Sequence, residues 1–135
     1  MSKTTNIILH GKSVMPSLTV DNLQRSLDFF DGLGFEVEEK WEENGKVLGA
    51  TLKAGDARLG ISQDDGKKGG NRTKGVGMRL YIEAKDNIDQ IASRAKTAGL
   101  RLKAEPHDNE MGGRAFEIEE PSGFLLTISS PFSSK

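Results

Sequence analysis

Two stretches of the chain, DNLQRSLDFFDGLGFEV at residues 21–37 and DNIDQIASRAKTAGLRL at 86–102, carry one pattern. Each opens with Asp-Asn and an aliphatic residue, spaces its apolar residues as a helix does, stops at glycine and passes into an alternating segment. The four-residue words LGIS (59–62) and LTIS (126–129) repeat in the same way. A repeat of this size within 135 residues means two copies of one supersecondary unit, each unable to cover its own apolar face without the other. It leaves room for one domain with one core.

The rest of each half completes the unit. VMPSLTV (14–20) alternates as a strand before the first helix, NLQRSLDFFDGLG, and FEVEEKWEE, KVLGATLKAG and ARLGISQDD follow as three short strands. The hairpin signals Asn44-Gly45 and Gly55-Asp56 separate them. In the second half VGMRLYIEA, the helix DNIDQIASRAKTAG, and then LRLKAE, GRAFEIEE and GFLLTISS keep the same order. The expected fold is α+β: two βαβββ modules at 14–63 and 76–130, an amino-terminal extension at 1–13 and a glycine-rich linker at 64–75. That linker, DDGKKGGNRTKG, lacks the spacing of a phosphate-binding loop and reads as a mobile connector.

Composition removes several classes of function. Nineteen basic and twenty acidic side chains are scattered along the chain, which argues against a nucleic-acid partner. No apolar run is long enough to cross a membrane, and the first residues lack the apolar core of a signal peptide, so a cytoplasmic protein is expected. Without cysteine there are no disulfides, thiolate metal sites or thiol nucleophiles. His10 and His107 are the only imidazoles; both are expected at the surface, His107 in a turn.

Strand alternation sorts the side chains onto two faces. One holds Leu18, Val20, Leu48, Ala50, Leu52, Leu59, Ile61, Met78, Leu80, Ile82, Phe116, Ile118, Phe124, Leu126 and Ile128, and is the expected core. The other holds Met15, Ser17, Thr19, Gly49, Thr51, Arg58, Gly60, Ser62, Arg79, Tyr81, Glu117, Glu119, Leu125, Thr127 and Ser129. This second set is polar and rich in small residues, which suits either a solvent-facing sheet or a wetted cleft.

LTVDNLQRSLDFFDGLGFEV (18–37) and MGGRAFEIEEPSGFLLTIS (111–129) resemble, in order and separation, two motifs of the vicinal oxygen chelate superfamily. That superfamily includes glyoxalase I, extradiol dioxygenases and bleomycin resistance proteins. The resemblance covers residues 14–130, with Asn22 for the usual aspartate, Phe30 for tyrosine and Glu120 for the aspartate before proline. It implies modules whose strands form a curved mixed sheet around a cleft, with the helices on the outer face. It also implies four metal-ligand positions, which here hold Met15, Gly60, Arg79 (Gly77 in an alternative register) and Thr127. None suits a divalent cation, and Gln63 and Asp64 lie just beyond Gly60.

The resemblance therefore implies a protein without metal or other cofactor that holds a polar or anionic small molecule in its cleft. Arg58, Arg79 and Tyr81 are the candidate polar anchors, Met15, Phe29, Trp41 and Met111 the apolar contacts, with Thr127 and Glu117 on the same face. Glu117 or Glu119 could instead satisfy Arg79 internally. The alternative is an enzyme of the same superfamily, lyase-like or dioxygenase-like, using Glu117 or Tyr81 as acid or base or a metal site not recognised in the sequence. A third reading is an interaction module that uses the fold only to dimerise. A homodimer is expected, because the strands leave sheet edges that need cover, with Trp41 a candidate at its interface.

Overall fold

The repeat in the sequence becomes a repeat in space in the computed structural model, which describes residues 7–69, 72–110 and 112–131. The first module contains β1 (Ser17–Val20), α1 (Leu23–Leu33), β2 (Glu36–Glu43), β3 (Lys46–Ala54) and β4 (Ala57–Gln63). The second contains β5 (Arg79–Glu83), α2 (Ile88–Thr97), β6 (Leu102–Asp108), β7 (Arg114–Glu119) and β8 (Leu125–Ser129). Each module forms its own four-stranded mixed sheet, ordered β1-β4-β3-β2 and β5-β8-β7-β6. In both, the strand before the helix pairs in parallel with the last strand, Leu18 opposite Ile61 and Ile82 opposite Ile128.

The two helices begin alike. The side chains of Asn22 and Asn87 accept hydrogen bonds from the backbone N–H of Arg25 (3.1 Å) and Gln90 (3.0 Å), each satisfying a donor that a helix start leaves open. Gly34 ends α1 at φ 106°, a left-handed conformation that glycine adopts without a Cβ clash. The packing faces differ. α1 buries Leu23, Phe29, Phe30 and Leu33, whereas α2 buries Ile88, Ala92 and Ala95. Large side chains on one helix thus meet small ones on the other, and the pair packs together. Gly32 in α1 allows this approach at the helix end, since a Cβ there would lie 2.9 Å from Leu100 Cδ1.

Both sheets and both helices contribute to one buried cluster that includes Leu18, Phe30, Ile61, Phe116 and Leu126. The helices cover the apolar face of the sheets, and the polar set from the alternation lies opposite. Four details differ from expectation. Leu48 is only partly buried and lies outside the core cluster, because the irregular β2–β3 ladder after Trp41 puts Val47 against the core instead. Met78 is 42% exposed, because β5 starts only at Arg79 and Met78 lies between the preceding turn and the strand. Phe29 is buried in the core, edge-on to Phe30 at 5.1 Å, and cannot contact a guest on the polar face. His107 is exposed as expected but sits within β6, whose ladder is irregular between Ala104 and His107. Pro106 lies in that gap and has no N–H to give to the ladder.

The modules are joined through the connection between β7 and β8. Glu120 is buried there; its carboxylate accepts from the Ser26 hydroxyl of α1 and from the N–H of Ser122 (2.6 Å). Ser122 Oγ in turn accepts from the N–H of Asp21 (2.8 Å). The far end of the linker is fastened to the same joint, in contrast to the mobile connector expected for the whole stretch. Lys74 pairs with Asp21 and with Asp64 (2.9 Å), Arg72 also reaches Asp64 (3.1 Å), and Gly75 lies so close to the Gly123 carbonyl that a Cβ could not fit. The ammonium of Lys74, the N–H of Gly66 and the guanidinium of Arg72 hold the Asp64 carboxyl well below the usual carboxylate range.

Burial pushes the Glu120 carboxyl above the ordinary glutamate value of 4.5, against the opposing pull of the Ser26 hydroxyl and the nearby N–H groups. The folded state therefore favours the protonated acid. Its stabilising contribution is complete below the ordinary value and is lost as pH rises through the raised one. Thermal melts across the mildly acidic range should show wild type losing stability relative to Glu120→Gln as pH increases; parallel pH profiles would contradict this. Ser26→Ala removes a donor from the buried carboxylate and should cost about 1–3 kcal/mol in denaturant unfolding.

Candidate functional site

The second sheet brings together four of the residues nominated from sequence, Arg79, Tyr81, Thr127 and Glu117. Register places Tyr81 opposite Thr127 and Thr127 opposite Glu117, so all three share one face, with Arg79 one step along it. Arg79 Nη1 donates to Thr127 Oγ1 at 3.2 Å and lies 3.5 Å from Glu117 Oε1. Both contacts use a single nitrogen of a group that carries five N–H donors. Among the described residues, the other guanidinium nitrogens make no further contact. Glu119, the other proposed partner, is engaged with Lys103 at 3.6 Å instead. Tyr81 stands 74% exposed beside this group.

The polar face of the first sheet is built differently. Met15 precedes β1, and its Cε lies 3.8 Å from where a Cβ on Gly60 would be. Trp41 of β2 sits opposite Gly49 of β3, its indole laid over the glycine so closely that any Cβ at Gly49 would overlap the ring. The residue remains 42% exposed and forms an apolar wall at the β2 edge of the sheet, next to the β3 strand that carries Thr51. Alternation identified both Trp41 and Gly49 as strand residues. It could not show that the glycine exists to seat the indole, because their pairing depends on where β2 and β3 align.

Arg58 does not join either group. Its Nε and Nη2 form a fork with the carboxylate of Glu38 at 2.8 and 2.9 Å, and each partner shifts the other: the carboxyl is held below its ordinary value and the guanidinium above. A bulge in β2 between Val37 and Glu39 turns Glu38 toward Arg58. Met111 lies outside the described residues.

The four positions that would carry metal ligands can be tested by their chemistry. Met15 offers a thioether, Gly60 no side chain, Arg79 a permanent cation, and Thr127 a hydroxyl already hydrogen-bonded to Arg79. Gly77, the alternative to Arg79, has no side chain. A hard or borderline divalent ion finds no suitable donor set here. Neither of the neighbours of Gly60 supplies one. Gln63 accepts from the N–H of Leu23 (2.9 Å) and donates to the carbonyl of Asp21 (2.7 Å), supporting the start of α1, and Asp64 is committed to Lys74 and Arg72. Among the described residues, no group of three or more His, Asp or Glu side chains is placed to hold a metal ion.

This fold recurs in known proteins. TioX from Micromonospora sp. ML1 superposes with a TM-score of 0.71 at 17% identity, covering 89% of this chain and 98% of that one. A bleomycin-binding protein solved in complex with bleomycin gives 0.66 at 19%, covering 90% and 99%. The fosfomycin resistance protein FosX from Mesorhizobium loti gives 0.65 at 18%, covering 92% and 94%. At these identities the likeness establishes the fold alone. No curated protein sequence matches the chain. The family is established by the sequence itself: residues 12–128 match the family pattern of the Glyoxalase/Bleomycin resistance protein/Dioxygenase superfamily, to which this chain belongs.

Proposed function

We propose that the protein binds a polar or anionic small organic molecule without a metal, on the face that carries Arg79. The observation that supports this reading is the half-satisfied guanidinium of Arg79, held in place by Thr127 and Glu117 with donors to spare, on a fold shared with a bleomycin-binding protein. Tyr81 adds an exposed ring and hydroxyl beside it, and Trp41, seated on Gly49, adds an aromatic surface on the first sheet. Such a combination of apolar walls and a few polar anchors is the usual composition of a small-molecule site.

The site is completed by a second copy of the chain. Of the four sheet edges, β2 is charged along its length and bulged, and β6 contains proline and lysine, features that discourage pairing. β1 carries no charge, and β5 is charged only at its two ends, Arg79 and Glu83. Exposed apolar residues accumulate just before both, Val14 and Met15 in one module and Val76 and Met78 in the other. Pairing along these edges would cover them and bring Met15 of one protomer toward Arg79 and Tyr81 of its partner.

Three measurements test the proposal. Native mass spectrometry after incubation with a metabolite mixture should find an unchanged bound molecule, and Arg79→Ala should weaken its binding by about 1.5–3 kcal/mol while leaving the melting temperature near wild type. Retained affinity would remove Arg79 from the site, and turnover would assign an enzyme. Elemental analysis after dialysis should find no stoichiometric divalent metal; one equivalent per chain would overturn metal independence. Sedimentation should give a dimer of the 14.7 kDa chain, and a monomer at micromolar concentration would remove the shared site.

A further inference from the structure

The two modules meet at two joints that are equivalent by the internal repeat and unequal in how they are filled. At the first, the β1–α1 junction meets the β7–β8 connection. At the second, the β5–α2 junction meets the β3–β4 turn. Aligning LGIS with LTIS equates Leu59 with Leu126, and the pairings Leu52 with Leu59 and Ile118 with Leu126 carry the equivalence into both turns. Ala54 then corresponds to Glu120 and Ala57 to Phe124. The matched N-caps Asn22 and Asn87 equate Ser26 with Ile91 and Phe29 with Arg94.

The first joint is therefore occupied by the Glu120 carboxyl, its serine partner and the buried Phe124 ring. The second has two alanines and an isoleucine in those places, and its turn is shorter by one residue. The missing volume appears as a cavity of about 570 Å³, floored by Phe35, Ile82, Ile91 and Ile128. Protein interiors are otherwise packed with few voids larger than a water molecule, and this volume lies in the range of small-molecule sites.

Its lip carries charges of both signs, with two cations on the α2 side. Arg94 lies across the end of α1, close to Gly34, with Nη2 donating to the Asp31 carbonyl at 3.3 Å. Lys85 is the additional residue of the longer β5–α2 junction and has no counterpart in the first module. Of the acids, Glu83 alternates with Ile82 and Ala84 and so projects to the opposite, polar face of the sheet. Asp56 lies at the turn tip, and Arg58 nearby is itself forked to Glu38. Lys85 and Arg94 therefore share the lip with Asp56 and Asp86, and Arg94 is the one fixed in place, by the Asp31 carbonyl.

We propose that this cavity is a second ligand site, separate from the Arg79 face, for a small amphipathic anion: an apolar body against the isoleucine floor and a carboxylate or sulfonate toward Arg94 and Lys85. The probe is anilinonaphthalene sulfonate, titrated into the folded protein by fluorescence. Ala57→Phe recreates the filling of the first joint. It should weaken saturable binding at least about tenfold and raise the melting temperature. Arg94→Gln should weaken binding about tenfold with little change in melting, the loss expected for one charged hydrogen bond. No saturable binding to wild type, or wild-type affinity in both variants, would overturn the site. Loss in Ala57→Phe with full affinity in Arg94→Gln would overturn its anionic character. Should Ala57→Phe not fold, Ala57→Leu makes the same test with a smaller side chain.

Discussion

Covering one apolar face of each sheet with a shared pair of helices is the constraint from which the rest of this structure follows. Neither module closes a core alone, and the buried cluster runs through both. Burial of that face at roughly 25 cal/mol per Å² is the main favourable contribution available to a chain of this size. It requires the helices to approach each other closely. Phenylalanines on α1 and alanines on α2, with Gly32 leaving room for Ala98 and Leu100 just past α2, satisfy the requirement. Because the apolar faces are committed to the interior, the opposite faces of both sheets are left for solvent and for ligands.

The same packing distributes polarity unevenly. At one joint a carboxyl is buried, which is tolerable because the Ser26 hydroxyl and the Ser122 N–H reach it. The surrounding ties from Lys74 to Asp21 and Asp64 bring the end of the linker against this joint as well. At the other joint the equivalent residues are alanine and isoleucine, with no polar group to satisfy and too little volume to fill the space. A duplicated unit thus yields a locked joint and an open one, because the side chains diverged while the backbone pattern stayed.

On the polar faces, shape and charge have separate origins. Gly49 lets the Trp41 indole lie flat on β3, and Gly60 leaves space beside Met15, so the first sheet offers contact area. The second sheet offers a cation whose position is set by a threonine and a glutamate. In the superfamily to which the chain belongs, the positions of Met15, Gly60, Arg79 and Thr127 are those the sequence resemblance assigns to metal ligands. Here the last two are hydrogen-bonded to each other, and none of the four offers a donor suited to a hard or borderline divalent ion.

Much of this was legible in the sequence. The repeat, the α+β class, the order of elements and nearly the whole core face follow from period and alternation, because which face a strand residue takes depends only on parity along the strand. Met78 departed from that pattern because β5 begins one residue later, and strand ends depend on pairing. The sequence also nominated Arg79, Thr127, Glu117 and Tyr81 as sharing one face, and register brought them together. It nominated Phe29 and Arg58 too, but the core took Phe29, and a bulge in β2 gave Arg58 to Glu38. Bulges, cross-strand partners and the fit of one module against the other arise from contacts between residues far apart in the chain. For that reason the seat of Trp41 on Gly49, the role of Gln63 at the start of α1, and the contrast between the filled and open joints were decided only by the tertiary structure.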